Sequence, residues 1–117
     1  MQLAVISITK EEAISYLTDA IETKSIQYWA CDYGPIKIWR DKELNIVRAE
    51  LEAQNKDGEK QTYKLDDKVI ERGILKLFET GFEVRNDILD SIVKDDIDSD
   101  GYDCIIQAAL FGELIYG

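Results

Sequence analysis

"NIVRAELEAQNKDGEKQTYKL", residues 45–65, decides the fold. Ile46, Arg48, Glu50 and Glu52 alternate with Val47, Ala49 and Leu51. That period belongs to a strand with one face toward a core and the other toward water. Asn55-Lys56-Asp57-Gly58 reads as a turn, because Asp-Gly tolerates the positive φ of a tight reversal. Residues 60–65, "KQTYKL", return as the second arm of the hairpin. Upstream, "IKIW" at residues 36–39 alternates as well, just after the turn signal Gly34-Pro35. About three adjacent antiparallel strands are therefore expected between residues 36 and 65.

Helical patterns flank this meander. Thr9 and Glu12 are spaced as a capping box, in which each side chain serves the other's backbone N–H. Ala13, Ile14, Leu17, Ala20 and Ile21 then repeat at helical spacing, so a helix is expected from residue 10 to about 23. The β-branched run "LAVISI", residues 3–8, reads as a strand or as an arm docking on helices. Residues 25–35 read as aromatic and irregular. Beyond the hairpin, Asp66 caps a helix whose apolar stripe is Val69, Ile70, Gly73, Ile74, Leu77 and Phe78, with Gly81 as its terminator. Ile88, Leu89, Ile92 and Val93 mark a third helix over residues 84–94. Residues 103–116 form the last, apolar nearly all round, with Ile106, Ala109, Leu110 and Phe111 expected among the most buried residues. The fold class is α+β: a small antiparallel meander of about three strands packed with about four helices. The C-terminal helix is central, and the 117 residues form one domain.

Composition narrows the function. Hydrophobic residues at 45% and charged residues at 32% describe a globular chain. The formal net charge of −10 repels nucleic-acid phosphates and anionic headgroups, so neither direct nucleic-acid binding nor membrane binding is expected. The nearest basic group, Lys37, Arg40 and Lys42, is interrupted by Asp41 and Glu43. No signal peptide or membrane span is read, and Cys31 and Cys104 are taken as buried free thiols in a reducing cytoplasm. The chain has no histidine, no P-loop and no G-x-G-x-x-G, and its carboxylates are spread over exposed faces. No nucleophile–base pair is visible, so a non-catalytic role without a cofactor is expected.

Two stretches carry the candidate site residues. Asp96, Asp98, Asp100 and Gly101 reproduce the opening of an EF-hand calcium loop. Position 12 of that loop, which needs a bidentate Glu, is Gln107, and position 8, normally apolar, is Asp103. Asp96, Asp98 and Asp100 are thus set aside as metal ligands. Asp95, Asp96, Asp98 and Asp100 are read as an acidic surface that also caps the last helix. The second stretch is aromatic: Tyr28, Trp29, Tyr33 and Trp39 fall within twelve residues around the only proline. They form a binding platform, or Trp29 and Trp39 fill the core over the sheet.

Several segments together carry a resemblance: "YWA" after a first helix, "DGEKQTYKLDDKVIERGILKLF", and acidic residues running into "DCIIQAALFGELIYG". The chain resembles a family of small acidic phage and prophage proteins without an assigned activity. Their ends are similar to Gln107, Phe111, Gly112, Glu113, Tyr116 and Gly117 here. The resemblance implies an accessory viral protein in the bacterial cytoplasm that binds a host or phage protein, including an inhibitor of a defence system that presents carboxylates where its target expects phosphates. The alternative is a protein that sequesters a small ligand such as a nucleotide signal, stacked on Trp29 or Trp39. A calcium module ranks below both. The apolar C-terminal helix, with Gly112 and Gly117 permitting close packing, also points to self-association as a homodimer.

Overall fold

The Thr9 hydroxyl accepts from the Glu12 N–H at 3.1 Å, and the Glu12 carboxylate accepts from the Thr9 N–H at 3.0 Å. This reciprocal cap starts helix α1, Lys10–Glu22. The structure, a computed structural model, describes residues 8–79 and 86–117. The expected N-terminal strand, apart from Ile8, and the terminator at Gly81 lie outside the described residues. The segment read as irregular contains a short helix, α2, Gln27–Ala30.

Three strands follow: β1, Lys37–Arg40; β2, Ile46–Gln54; β3, Lys60–Leu65. They form an antiparallel meander in the order β1-β2-β3. Each turn is tied by an acceptor side chain at its first corner. Asp41 Oδ1 accepts from the N–H groups of Glu43 and Asn45 at 2.9 and 3.0 Å. Asn55 Oδ1 accepts from Asp57 and Glu59 at 2.9 and 3.0 Å, and Gly58 takes the left-handed backbone with φ of 78°.

One strand reading needs correction. Trp39 pairs with Arg48 and Arg40 with Ile46, which leaves Val47 as an extra residue in β2. This bulge shifts the alternation by one position. Ile46 therefore joins Ala49, Leu51 and Ala53 on the buried face instead of standing beside Arg48 and Glu50 on the outer one. The Ile46 N–H donates to the buried Thr18 hydroxyl at 2.8 Å, which ties the bulge to α1.

Asp66 caps helix α3, Asp67–Leu77, accepting from the Val69 N–H at 2.9 Å. Val69, Ile70, Gly73, Ile74 and Leu77 are buried as their spacing predicts, and Phe78 is half-buried. Helices α4, Asn86–Val93, and α5, Ser99–Phe111, complete the chain. α5 is central: α3 lies along it, and α1 and α4 also touch it. It begins earlier and ends sooner than residues 103–116, because Gly112 adopts φ of 72° and closes it. Ile106 and Ala109 are buried as expected, but Leu110 and Phe111 are only half-buried, since they lie in the last turn at the rim of the core. Cys31, at the C-terminal cap of α2, and Cys104, on α5, form no disulfide and are half-buried, not buried as expected, because neither helix turns that position fully into the core. Among the described residues no helix is long and apolar enough to cross a membrane.

α3 and α5 approach closely at Gly73. A Cβ there would lie 2.2 Å from the Ile105 carbonyl oxygen and 3.1 Å from the Ala109 Cβ. Only a residue without a side chain fits. Gly73→Ala should lower stability by about 2 kcal/mol despite the better helix propensity of alanine, because the overpacked site meets backbone that cannot yield. Urea unfolding at constant slope is the measurement, and an unchanged midpoint would show that the two helices separate freely.

Candidate functional site

The four aromatic residues do not form one surface. Trp29 is 1% exposed, whereas Tyr28, Tyr33 and Trp39 are 53%, 43% and 40% exposed. Consecutive residues on α2 point about 100° apart, so Tyr28 and Trp29 diverge. Trp29 is thus removed from the candidate binding surface and belongs to the core. It stacks on Tyr116 with centroids 5.1 Å apart and meets Phe111 edge-on at 5.5 Å.

Trp29 is also part of a polar network that the sequence did not announce. Its Nε1–H donates to Asp103 Oδ1 at 2.8 Å, and the Tyr28 hydroxyl donates to Asp103 Oδ2. Gln107, 1% exposed, donates from Nε2 to Asp103 Oδ1 at 2.9 Å and to the Tyr116 carbonyl at 3.1 Å. Gln107 Oε1 accepts from the N–H groups of Ile115 and Tyr116, both at 2.9 Å. The tail that follows Gly112 is therefore clasped against α5 by one buried amide, and the Tyr116 hydroxyl anchors its far side on the Gln54 carbonyl. Among the described residues no buried side-chain polar atom lacks a partner. The legible signals were Gly112 just after an apolar run, and one uncharged polar residue, Gln107, inside it.

The acidic turn closes one helix and opens the next. Asp95 takes φ of 56°, the Asp96 N–H donates to the Ser91 carbonyl at 2.8 Å, and the Asp95 N–H donates to the Ile92 carbonyl at 3.2 Å. This is a Schellman ending for α4 with aspartate in the usual glycine place. Asp98 caps α5, accepting from the Gly101 N–H at 2.9 Å, as the capping reading expected. Gly101 is a helical residue in the first turn of α5, where a Cβ would meet Ile97 at 2.7 Å. It is a packing glycine here, not the hinge of a calcium loop. Two tyrosines bind carboxylates nearby: Tyr16 donates to Asp95, and Tyr102 donates to Asp19 at 3.1 Å. Asp95, Asp96, Asp98 and Asp100 are all exposed.

The outer face of the sheet carries the other two aromatics. Lys37 pairs with Glu50 and Glu50 with Lys64; Trp39 pairs with Arg48. The Arg48 guanidinium lies 4.5 Å from the Trp39 ring centre, and Lys60 Nζ lies 5.4 Å from that of Tyr33. The Arg48 hydrogen bond, at 2.8 Å, holds the Glu50 carboxyl below its ordinary range, with Lys64 and Lys37 adding to the effect. A cleft of about 150 Å³ opens beside Tyr33, Pro35, Lys37 and Glu52. A larger groove, about 690 Å³, runs between α3 and α5, with Lys68, Arg72 and Lys76 at successive turns.

Charge is divided unevenly over these parts. Residues 36–65 hold seven of the 14 cations and six of the 24 acids, a net charge of +1, which leaves −11 on the rest of the sequence. Residues 87–103 alone contain seven aspartates against Lys94. No family model matches the chain, and neither a curated protein nor a solved structure matches it.

Two measurements test this geometry. Gln107→Leu keeps the volume but leaves the N–H groups of Ile115 and Tyr116 without their acceptor. It should cost about 2–3 kcal/mol and speed hydrogen exchange at those two amides, while exchange in α3 follows only the global loss. Burial first, and then the facing carboxylates, raise the pKa of the buried Tyr16 and Tyr102 well above its ordinary value. The folded chain then holds these protons more tightly than the unfolded one, so their stabilisation is complete below about pH 10 and is lost as pH rises beyond it. Phenolate absorbance of these residues should rise together with loss of circular dichroism; ionisation near pH 10 in a still-folded chain would contradict the burial.

Proposed function

We propose that the protein is a non-catalytic phage or prophage accessory protein that acts in the bacterial cytoplasm by binding a host or phage protein. The observation that carries this reading is the acid-crowded end made by α4, the turn after it and the start of α5. Seven aspartates lie there within residues 87–103. Three of them are fixed in place by the fold: Asp95 by the hydroxyl of Tyr16, Asp98 by its cap, and Asp103 by Trp29, Tyr28 and Gln107. Carboxylates held in place at Asp95 and Asp98, which are exposed, lose little entropy on docking and steer a basic surface toward them. Carboxylates so held also suit an inhibitor that stands in for phosphates, including one directed at a defence system. The resemblance to small acidic phage proteins supports the setting.

The small-ligand reading draws support from the groove with Lys68, Arg72 and Lys76. The nucleotide of this reading stacks on Trp29 or Trp39, and the groove's cations should therefore lie beside one of those rings. Trp39 and Tyr33 flank the sheet face, on other elements, and Trp29 is buried. The protein-binding reading is therefore preferred.

Tagged wild type and an Asp90→Asn, Asp96→Asn, Asp100→Asn variant, compared on bacterial lysate, test the proposal. The variant keeps Asp95, Asp98 and Asp103, whose carboxylates support the fold. Wild type should retain one protein at a stoichiometric level, released by about 0.5 M salt, where charge attraction is screened within a few ångströms. The variant should lose it. Equal retention by both chains would overturn the acidic end as the docking surface.

A further inference from the structure

β1 is an edge strand, with β2 on one side and no strand pairing its other side among the described residues. It exposes two large apolar residues in succession, Ile38 and Trp39, each 40% exposed. Ile38 pairs with Ala49 and so lies on the face that the helices cover, yet the cover stops short of it. The opposite edge differs: Lys60, Gln61 and Thr62 of β3 are exposed and polar, and Tyr63 packs on Phe111. α5, the helix expected from sequence to carry self-association, is enclosed by α3, α1 and α4.

We infer that β1 is a homodimer interface, at which two copies pair their β1 strands antiparallel about a two-fold axis through Ile38. The two three-stranded sheets then become one continuous sheet. Directly opposed residues of an antiparallel pair point to the same face, so a two-fold pairing must match odd-numbered residues with odd and even with even. Centring on Lys37 opposes two lysines. Centring on Trp39 sets Ile38 against Arg40, whose guanidinium is already bound to Glu22 at 2.9 Å and to the Leu44 carbonyl at 2.6 Å. Centring on Ile38 opposes the two isoleucines on the helix-covered face. It also sets each Lys37 against the other copy's Trp39 on the outer face, a cation beside a ring that Arg48 already flanks.

Charge distribution names a second copy as the occupant. Two chains of net charge −10 repel, and the association that minimises this brings together the region that is not acidic. Residues 36–65, with a net charge of +1, are one such region, and β1 itself carries Lys37 and Arg40 and no carboxylate.

Sedimentation of the full chain across a concentration series provides the test. Wild type should form a reversible dimer by about 0.1 mM, the range of a modest specific contact. Ile38→Glu opposes two carboxylates at the axis and should weaken the dimer at least about tenfold, with circular dichroism unchanged because the side chain is already partly in water. Ile38→Cys should form an intermolecular disulfide on mild oxidation that wild type, with Cys31 and Cys104 alone, does not form, since the paired Cα atoms fall within disulfide reach. A monomer at every concentration, an Ile38→Glu dimer as tight as wild type, or no cross-link through position 38 would each overturn the inference.

Discussion

The side-chain amide of Gln107 is the interaction on which the rest of the C-terminal architecture depends. It is buried, and a buried amide must find partners for both its oxygen and its nitrogen. Both N–H bonds and both lone pairs are used: the oxygen takes the Ile115 and Tyr116 N–H groups, and the nitrogen serves Asp103 and the Tyr116 carbonyl. The chain after Gly112 is thereby turned back, so that Tyr116 can stack on Trp29 and complete the core over α2. A purely apolar residue at position 107 would fill the same volume and leave the tail without a fixed path. A fully satisfied polar centre of this kind specifies one arrangement where hydrophobic contact alone would tolerate several.

The acidity of the chain is partly structural. Asp66 and Asp98 cap helices, Asp41 ties a turn, Asp95 closes α4, and Asp19, Asp95 and Asp103 accept from tyrosine hydroxyls. Carboxylates do this well because they are strong acceptors, and at a helix start they also meet the positive end of the backbone dipoles. Many of the remaining charges face water, where their mutual repulsion is screened. The same residues therefore serve the fold and contribute to the net charge of the chain.

The sheet has the opposite character. Its outer face mixes Lys37, Arg48 and Lys64 with Glu50, and lays Trp39 beside the Arg48 guanidinium. The bulge at Val47 lets one strand serve both environments: it turns Ile46 into the core next to Thr18 while Arg48 stays outside. The near-neutral charge of residues 36–65 follows from their seven cations, and the excess of acid lies in the rest of the sequence.

The sequence by itself determined the local elements. Thr9 with Glu12, Asp66 with Val69, and the alternation through residues 49–53 act between residues three or four apart, or along a single strand. Such signals survive whatever the rest of the chain does, so the helix starts, the meander and the α+β class were legible. The capping role of Asp98 was legible for the same reason. The bulge, and which of the two readings of Trp29 holds, were not, because each depends on a partner far along the chain. Trp29 meets Asp103, Tyr16 meets Asp95 and Tyr116 meets Gln54, across separations of 74, 79 and 62 residues. Only the packed tertiary structure brings those groups within hydrogen-bond reach, and so only it decides that one tryptophan of the aromatic segment faces the core while the other stands on the open edge of the sheet.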